Sequence, residues 1–160
     1  MKKQKGFSLI ELLIVVAIIL IIAAIAIPNL LRSRMAANEA SAVGSLRTIN
    51  TAEVTYSTVY PSVGFGTLAA LGGAAPCTTA SSATSCLIDS TLSNTAVKSG
   101  YNFAITNLTT GGGPIVVTYN ATAVPSVVGQ SGQRGFFTDQ SGVIRYDPTG
   151  AAPTNASPAL

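Results

Sequence analysis

The sequence contains no histidine and few charged side chains of either sign. Nine Lys and Arg residues and six Asp and Glu residues make up 9% of the 160 residues. Histidine is the side chain best suited to general acid–base work near neutral pH, and the six carboxylates are scattered along the chain. The sequence shows no glycine-rich phosphate loop and no cluster of metal-ligating residues. The composition therefore argues against an enzyme.

The positive charge is concentrated at the N-terminus. Lys2, Lys3 and Lys5 lie within the first six residues, and the rest of the chain has six basic and six acidic side chains. The remainder therefore lacks the basic patch that nucleic-acid binding requires. Positive charge beside an apolar span instead favours a cytoplasmic location for that end of the span.

A long apolar run follows these lysines. Residues 7–27 would span about 31 Å as a helix, roughly the thickness of the bilayer hydrocarbon core. Within this run, residues 12–27 include no polar side chain. One interpretation is a secretory signal peptide with a small-residue cleavage site at Ala24-Ile25-Ala26, and another is a simple membrane anchor. Neither interpretation explains why the run retains one carboxylate, Glu11.

The stretch KGFSLIELLIVVAIIL, residues 5–20, resembles the N-terminus of type IV prepilins and of the related type II secretion pseudopilins. The resemblance implies a six-residue leader that a membrane-embedded peptidase removes between Gly6 and Phe7. It also implies N-methylation of Phe7, and it identifies Glu11 as the glutamate at the family's fifth mature position. Pro28 matches the family's proline near the end of the apolar half. The family often has a glycine between these two positions, which this sequence lacks.

Placing a carboxylate within a membrane span costs free energy, so such a residue usually has a function and a partner that offsets its charge. Leader cleavage would create the partner, the new amino group of Phe7. In one helix the two groups lie more than a turn apart, so we expect the Phe7 amine of a neighbouring subunit to pair with Glu11. Such a pair at 4 Å gains about 4 kcal/mol at an effective dielectric near 20, offset by desolvation of both ions. Glu11 is therefore predicted to set the stagger between subunits.

The apolar half, residues 7–28, continues into an amphipathic half, residues 29–60. Together they predict one long helix that ends before Pro61, with a kink or melted turn near residues 24–28 because Pro28 lacks an amide donor. Glu39 and Glu53 interrupt the apolar stripe that should cover a sheet. The stripe consists of Met35, Ala42, Leu46, Ile49, Tyr56 and Tyr60.

Residues 61–100 are rich in turn-forming residues and contain both cysteines, Cys77 and Cys86. Metal binding would require further ligands, and a redox motif would have two residues between the cysteines rather than eight. A disulfide formed in the periplasm is the interpretation we adopt. Family members have a variable loop here, although many carry their disulfide nearer the C-terminus.

Residues 101–147 predict three or four antiparallel strands. Tyr101, Phe103 and Ile105 alternate with polar or small residues, and residues 115–119 (IVVTY) follow a glycine turn. Residues 135–138 and 143–146 flank a loop that ends at Gly142, as expected of a hairpin. The predicted fold class is α+β and type IV pilin-like, with the sheet on the long helix. Residues 148–160 have few apolar side chains and are predicted to form a mobile tail.

No cofactor or metal is expected. Asp139 and Asp147 flank the last hairpin and could bind calcium, as in the major pseudopilins, but two carboxylates are equally typical of a turn and a strand end. We adopt the second interpretation for both residues.

The resemblance implies a structural subunit of a type IV pilus that serves adhesion, twitching motility or DNA uptake. Implied partners are copies of itself in a helical filament, the prepilin peptidase, an inner-membrane assembly platform with its ATPase, an outer-membrane secretin, and the bilayer before assembly. The implied location is the inner membrane, with the globular domain in the periplasm, and then a surface filament. A major-type pseudopilin is the alternative, and an anchored binding module that never polymerises is a third hypothesis.

Overall fold

The computed structural model describes residues 7–73 and 75–160, so Gly6 lies outside the described residues. Helix α1 runs over Leu9–Val59, within two residues of the predicted ends. The chain divides into a first compact unit that ends at Arg34 and a second, Met35–Leu160. Helix α1 continues through residues 24–28, so the predicted melted turn is absent. Pro28 removes a single amide donor, and the flanking turns remain helical; a bend of the helix there stays a prediction.

An antiparallel sheet of five strands forms the second half of the fold, in the order β1-β2-β3-β4-β5. The strands are β1 (Val97–Lys98), β2 (Tyr101–Thr109), β3 (Thr118–Pro125), β4 (Gly135–Asp139) and β5 (Arg145–Asp147). The long N-terminal helix and the sheet confirm the predicted α+β, type IV pilin-like fold. The additional strand is β1, which lies in the segment predicted to be loop.

One hydrophobic core fills the space between the second half of α1 and one face of the sheet. Ala42, Leu46, Ile49 and Tyr56 are buried on the helix, which confirms these positions of the predicted stripe. The strands contribute Tyr101, Phe103, Tyr119, Ala121, Ala123 and Phe136 to the same core. The alternation along β3, in which every second residue is buried, follows from the period of two in an extended strand.

The strand predicted at residues 115–119 is placed differently in the structure. Only Thr118 and Tyr119 belong to β3, which continues to Pro125, whereas Val116 forms an isolated parallel bridge with Gly64. The prediction was based on the apolar residues IVV. The buried positions of β3 beyond Tyr119 are Ala121, Ala123 and Pro125, and alanine and proline give a weak strand signal. The hairpin of β4 and β5 is confirmed, with Phe136 paired to Tyr146.

The segment between helix and sheet contributes more to the core than expected of a turn-rich loop. It contains the short helix α2 (Leu68–Leu71) and a π-helical turn (Thr91–Thr95). The main-chain N–H groups of Ser85 and Leu87 donate to the carbonyls of Ala70 and Leu71, at 2.8 Å each. Four apolar side chains of this segment are buried, namely Leu68, Leu71, Ile88 and Leu92.

The predicted disulfide is confirmed: Cys77 and Cys86 are bonded, with their Cα atoms 5.8 Å apart. The bridge closes a loop whose residues are mostly exposed. Replacing both cysteines by serine should therefore lower the free energy of unfolding by about 2–3 kcal/mol, the loop-entropy value for a closure of this length. Urea titrations of the oxidised wild type, the reduced wild type and the double variant would measure the effect. Equal midpoints for all three would contradict this prediction.

The C-terminal segment, predicted to be a mobile tail, pairs with β5. The Leu160 N–H donates to the Ile144 carbonyl at 2.9 Å, and the Tyr146 N–H donates to the Pro158 carbonyl at 3.0 Å. The Arg145 guanidinium donates to the Ser157 carbonyl at 2.9 Å. The prediction was based on the scarcity of apolar side chains, but the open edge of β5 binds the segment through main-chain groups, which any residue supplies.

Candidate functional site

The first candidate site is the apolar part of α1. Every large aliphatic side chain from Leu9 to Leu31 is exposed, by 41% to 73%. Helix α1 is also long and apolar enough to cross a membrane. An apolar surface of this extent is unfavourable in water, because each large aliphatic side chain gains about 1.5–3 kcal/mol on burial. The segment therefore requires lipid or other helices around it.

Glu11 has a local partner at the start of this helix. Its Oε2 atom accepts a hydrogen bond from the Ser8 main-chain N–H at 2.9 Å. Ser8 immediately precedes the helix and Glu11 is its third residue, so this is one half of a capping box. The S-x-x-E signature of this cap is visible in the sequence as Ser8-Leu9-Ile10-Glu11. A carboxylate accepts at both oxygens, so this bond leaves Glu11 Oε1 for a second donor.

The pairing predicted for Glu11 with the Phe7 amine of a neighbouring subunit stays a prediction, as do the leader cleavage at Gly6 and the methylation of Phe7. Phe7 is 76% exposed. The cap does not exclude the pairing, because the Ser8 bond occupies one carboxylate oxygen only.

In the second unit, polar side chains fix helix α1 on the sheet. Asn50 lies between two strands: its Nδ2 donates to Thr138 Oγ1 on β4, and its Oδ1 accepts from the Tyr119 hydroxyl on β3, both at 2.9 Å. Asn50 is half-buried, and its two bonds join the helix to two different strands, so this arrangement favours one register of the helix on the sheet. Residue pattern alone does not identify Asn50, because its partners lie 88 and 69 residues away in the sequence.

Glu39 holds the connection between β3 and β4. Its Oε1 accepts from the main-chain N–H groups of Gln133 at 2.9 Å and Arg134 at 3.1 Å, and its Oε2 accepts from Arg134 Nε at 2.8 Å. Burial alone would raise the pKa of Glu39, but the Gln133 N–H and the side chain and N–H of Arg134 together lower it. Glu39 is therefore ionised at neutral pH and locks the connection to the helix.

Glu53 is also buried, with no exposed area. Its Oε2 accepts from the Gly66 N–H at 2.9 Å. In the sequence Glu39 and Glu53 interrupt the apolar stripe, whereas in the structure both are buried on the packed side of the helix. Their main-chain partners lie in loops, and main-chain donors leave no signal in a residue pattern.

The two aspartates considered for calcium each stabilise a turn. Asp139 Oδ1 accepts from the Ser141 N–H and Asp147 Oδ1 from the Thr149 N–H, both at 2.8 Å. The Thr149 hydroxyl and then its N–H lower the pKa of Asp147. Aspartates commonly bond the main chain two residues on in this way. Across residues 7–73 and 75–160, no group of three or more metal-ligating side chains could hold a metal ion.

These features define a class. A long N-terminal helix with an uncovered apolar half and a second half packed on an antiparallel sheet is the architecture of type IV pilin-like proteins. Residues 1–27 match the family model described as the prokaryotic N-terminal methylation motif. The chain therefore combines this N-terminal methylation motif with a type IV pilin-like fold.

Two curated proteins are similar to this chain. The type IV wide pilus major component PilA4 of Thermus thermophilus is 64% identical over 39 residues, which cover 24% of this chain and 30% of that protein. The type IV major pilin protein PilA of Myxococcus xanthus is 44% identical over 54 residues, covering 34% of this chain and 24% of that protein. The chain thus matches less than a third of either relative's length. No solved structure matches it significantly.

Proposed function

We propose that this protein is the structural subunit of a type IV pilus and that it polymerises through the apolar half of helix α1. The main support for this proposal is the exposed aliphatic surface of residues 9–31, in a chain whose residues 1–27 match the N-terminal methylation motif. This aliphatic surface makes similarly favourable contacts with lipid tails and with the apolar helices of other subunits. The segment can therefore exchange membrane for filament at little net hydrophobic cost.

The proposed assembly begins with an inner-membrane precursor whose globular part lies in the periplasm. A prepilin peptidase removes the leader after Gly6, Phe7 is methylated, and an ATPase-driven assembly platform moves the subunit into the filament. The filament leaves through an outer-membrane secretin. The subunit has a structural rather than a catalytic role, and its principal partner is a second copy of itself.

Glu11 has two roles in this proposal. Through Oε2 it caps its own helix at Ser8, and through the charge it pairs with the Phe7 amine of the next subunit. The two roles can be separated by Glu11→Gln, because glutamine still provides an acceptor for the Ser8 N–H but carries no charge.

The proposal is tested by expressing wild type, Glu11→Gln and Glu11→Leu from the native locus and quantifying sheared surface filaments by immunoblot and electron microscopy. We expect abundant filaments from the wild type and at least a tenfold loss in both variants, with leader removal retained. Lys98→Ala, which alters an exposed surface pair, is the control and should assemble normally.

Each other outcome has a defined meaning. Normal filaments from Glu11→Gln, with none from Glu11→Leu, would refute charge pairing and leave only the cap. Processed wild-type protein without filaments would favour the membrane-anchored module.

A pilus is preferred over the pseudopilus of a type II secretion system because both similar proteins are named as major pilins. Deletion of the gene separates the two. A pilus subunit predicts loss of surface filaments with unchanged protein secretion, and a pseudopilin predicts loss of secreted enzymes.

A further inference from the structure

A short segment after helix α1 is attached to the fold chiefly through main-chain hydrogen bonds. The N–H groups of Val63 and Gly64 donate to the Tyr60 carbonyl at the end of the helix, at 2.9 and 3.1 Å. Residues 63–66, which we call the latch segment, form main-chain hydrogen bonds with Val116: the Phe65 N–H donates to the Val116 carbonyl at 3.1 Å, and the Val116 N–H donates to the Val63 carbonyl at 2.9 Å. Gly64 has φ +85°, and a Cβ there would lie 2.0 Å from the Val116 carbonyl oxygen. This close approach requires glycine.

The far end of the latch segment is held by a buried carboxylate. The Gly66 N–H donates to Glu53 Oε2 at 2.9 Å. Glu53 Oε1 is buried and has no hydrogen-bond partner within the described residues. The Phe65 ring packs edge-on against the buried Tyr119, with ring centroids 4.8 Å apart, and so joins the latch segment to the core.

We propose that Glu53 makes the latch segment a pH-sensitive device, closed while the carboxyl is protonated and opening more often once it is ionised. When Glu53 is ionised, one carboxylate oxygen accepts a hydrogen bond and the other has no donor, which is unfavourable in a core. Opening of the latch segment would let water donate to the second oxygen. A protonated carboxyl carries no such penalty.

The groups that face Glu53 do not compensate its charge. On its own helix and on β3 these are Tyr56 and Tyr119, whose pKa values are raised by burial and also by the Glu53 carboxylate. The latch segment contributes only the Gly66 N–H. In the described ranges, the acidic groups in salt bridges are Glu39 and Asp89. Within residues 7–73 and 75–160, Glu53 is thus a buried acid without a cationic partner.

The direction of the pH effect follows from proton linkage. Burial raises the pKa of Glu53 from the ordinary 4.5 to about 7, although the Gly66 N–H opposes the shift. The closed segment therefore binds the proton more tightly than the open one, so closure is favoured at low pH and is lost as pH rises from 4.5 to 7. If water restores the ordinary pKa on opening, the open population rises on the order of 50- to 100-fold between pH 5 and 8.

The test is hydrogen exchange of the full chain in detergent micelles between pH 5 and 8, corrected for intrinsic exchange. We expect the amides of Phe65, Gly66 and Val116 to gain this factor and to remain less protected than the amides of the β3–β4 ladder at every pH. Global unfolding also exposes Glu53 and therefore shares the pH dependence, but it is rarer than opening of the latch segment alone. The sequence contains no histidine, so no imidazole titrates between pH 5 and 8. In Glu53→Gln the pH response of the three amides should disappear.

Asp139→Asn is the matched control, because asparagine keeps an acceptor for the Ser141 N–H and removes a carboxylate near Tyr119. It should show the wild-type pH response. Equal protection of the latch and sheet amides at every pH would indicate that Glu53 is exposed only by global unfolding and would overturn the proposal, as would a flat wild-type profile or an unchanged response in Glu53→Gln. The wild-type comparison of the two sets of amides stands even where Glu53→Gln fails to fold.

Discussion

Replacing Glu39 by alanine is expected to destabilise the packed part of the protein by about 2–4 kcal/mol at neutral pH, the range for breaking a largely buried, hydrogen-bonded ion pair. The substitution leaves the N–H groups of Gln133 and Arg134 without their acceptor and removes the partner of the Arg134 guanidinium. We place the effect below the upper limit for buried pairs because the Arg134 side chain is 39% exposed.

Urea unfolding followed by tyrosine fluorescence is suited to this measurement, because all five tyrosines lie beyond residue 55. Lys98→Ala serves as the control, since it breaks the exposed pair with Asp89 and should cost less than about 1 kcal/mol. Equal effects of the two substitutions would contradict the role assigned to Glu39.

The Glu39 interaction also predicts a pH dependence. Its pKa is lowered, so the interaction stabilises the protein above the ordinary carboxyl pKa of 4.5 and is lost as pH falls below that value. The stability difference between wild type and Glu39→Ala should therefore shrink in acid, opposite in direction to the effect of Glu53.

Leu46→Ala is expected to cost about 2–5 kcal/mol, as large-to-small substitutions in a packed core do. Leu46 has no exposed area and lies at the centre of the contact between α1 and the sheet. The same urea titration would show a lower midpoint with an unchanged slope.

Val54→Ala on the same helix is the matched control for Leu46. Val54 is 61% exposed, so its truncation should change stability by less than about 0.5 kcal/mol. A loss at Val54 as large as that at Leu46 would show that the helix packs through a different face in solution.

The helix and its packed face could be predicted from the sequence because both depend on patterns local in the chain. The apolar run gives α1 its uncovered half, and the spacing of Ala42, Leu46, Ile49 and Tyr56 gives the face that covers the sheet. The hairpin of β4 and β5 was predictable for the same reason, since its Gly142 has φ +74° at the end of the loop. The continuation of β3 beyond Tyr119 was not predictable, because the buried positions there are Ala121, Ala123 and Pro125, which are small or disfavoured in strands.

By itself, the sequence determined the prepilin-type N-terminus, the long helix and the disulfide. These follow from a contiguous motif, a contiguous apolar run and the presence of two cysteines only. Tertiary structure alone decided that Glu39, Asn50 and Glu53 are packed polar groups and that the C-terminal segment completes the edge at β5. The physical reason is that these interactions use main-chain donors and partners up to 95 residues away, which side-chain periodicity does not encode.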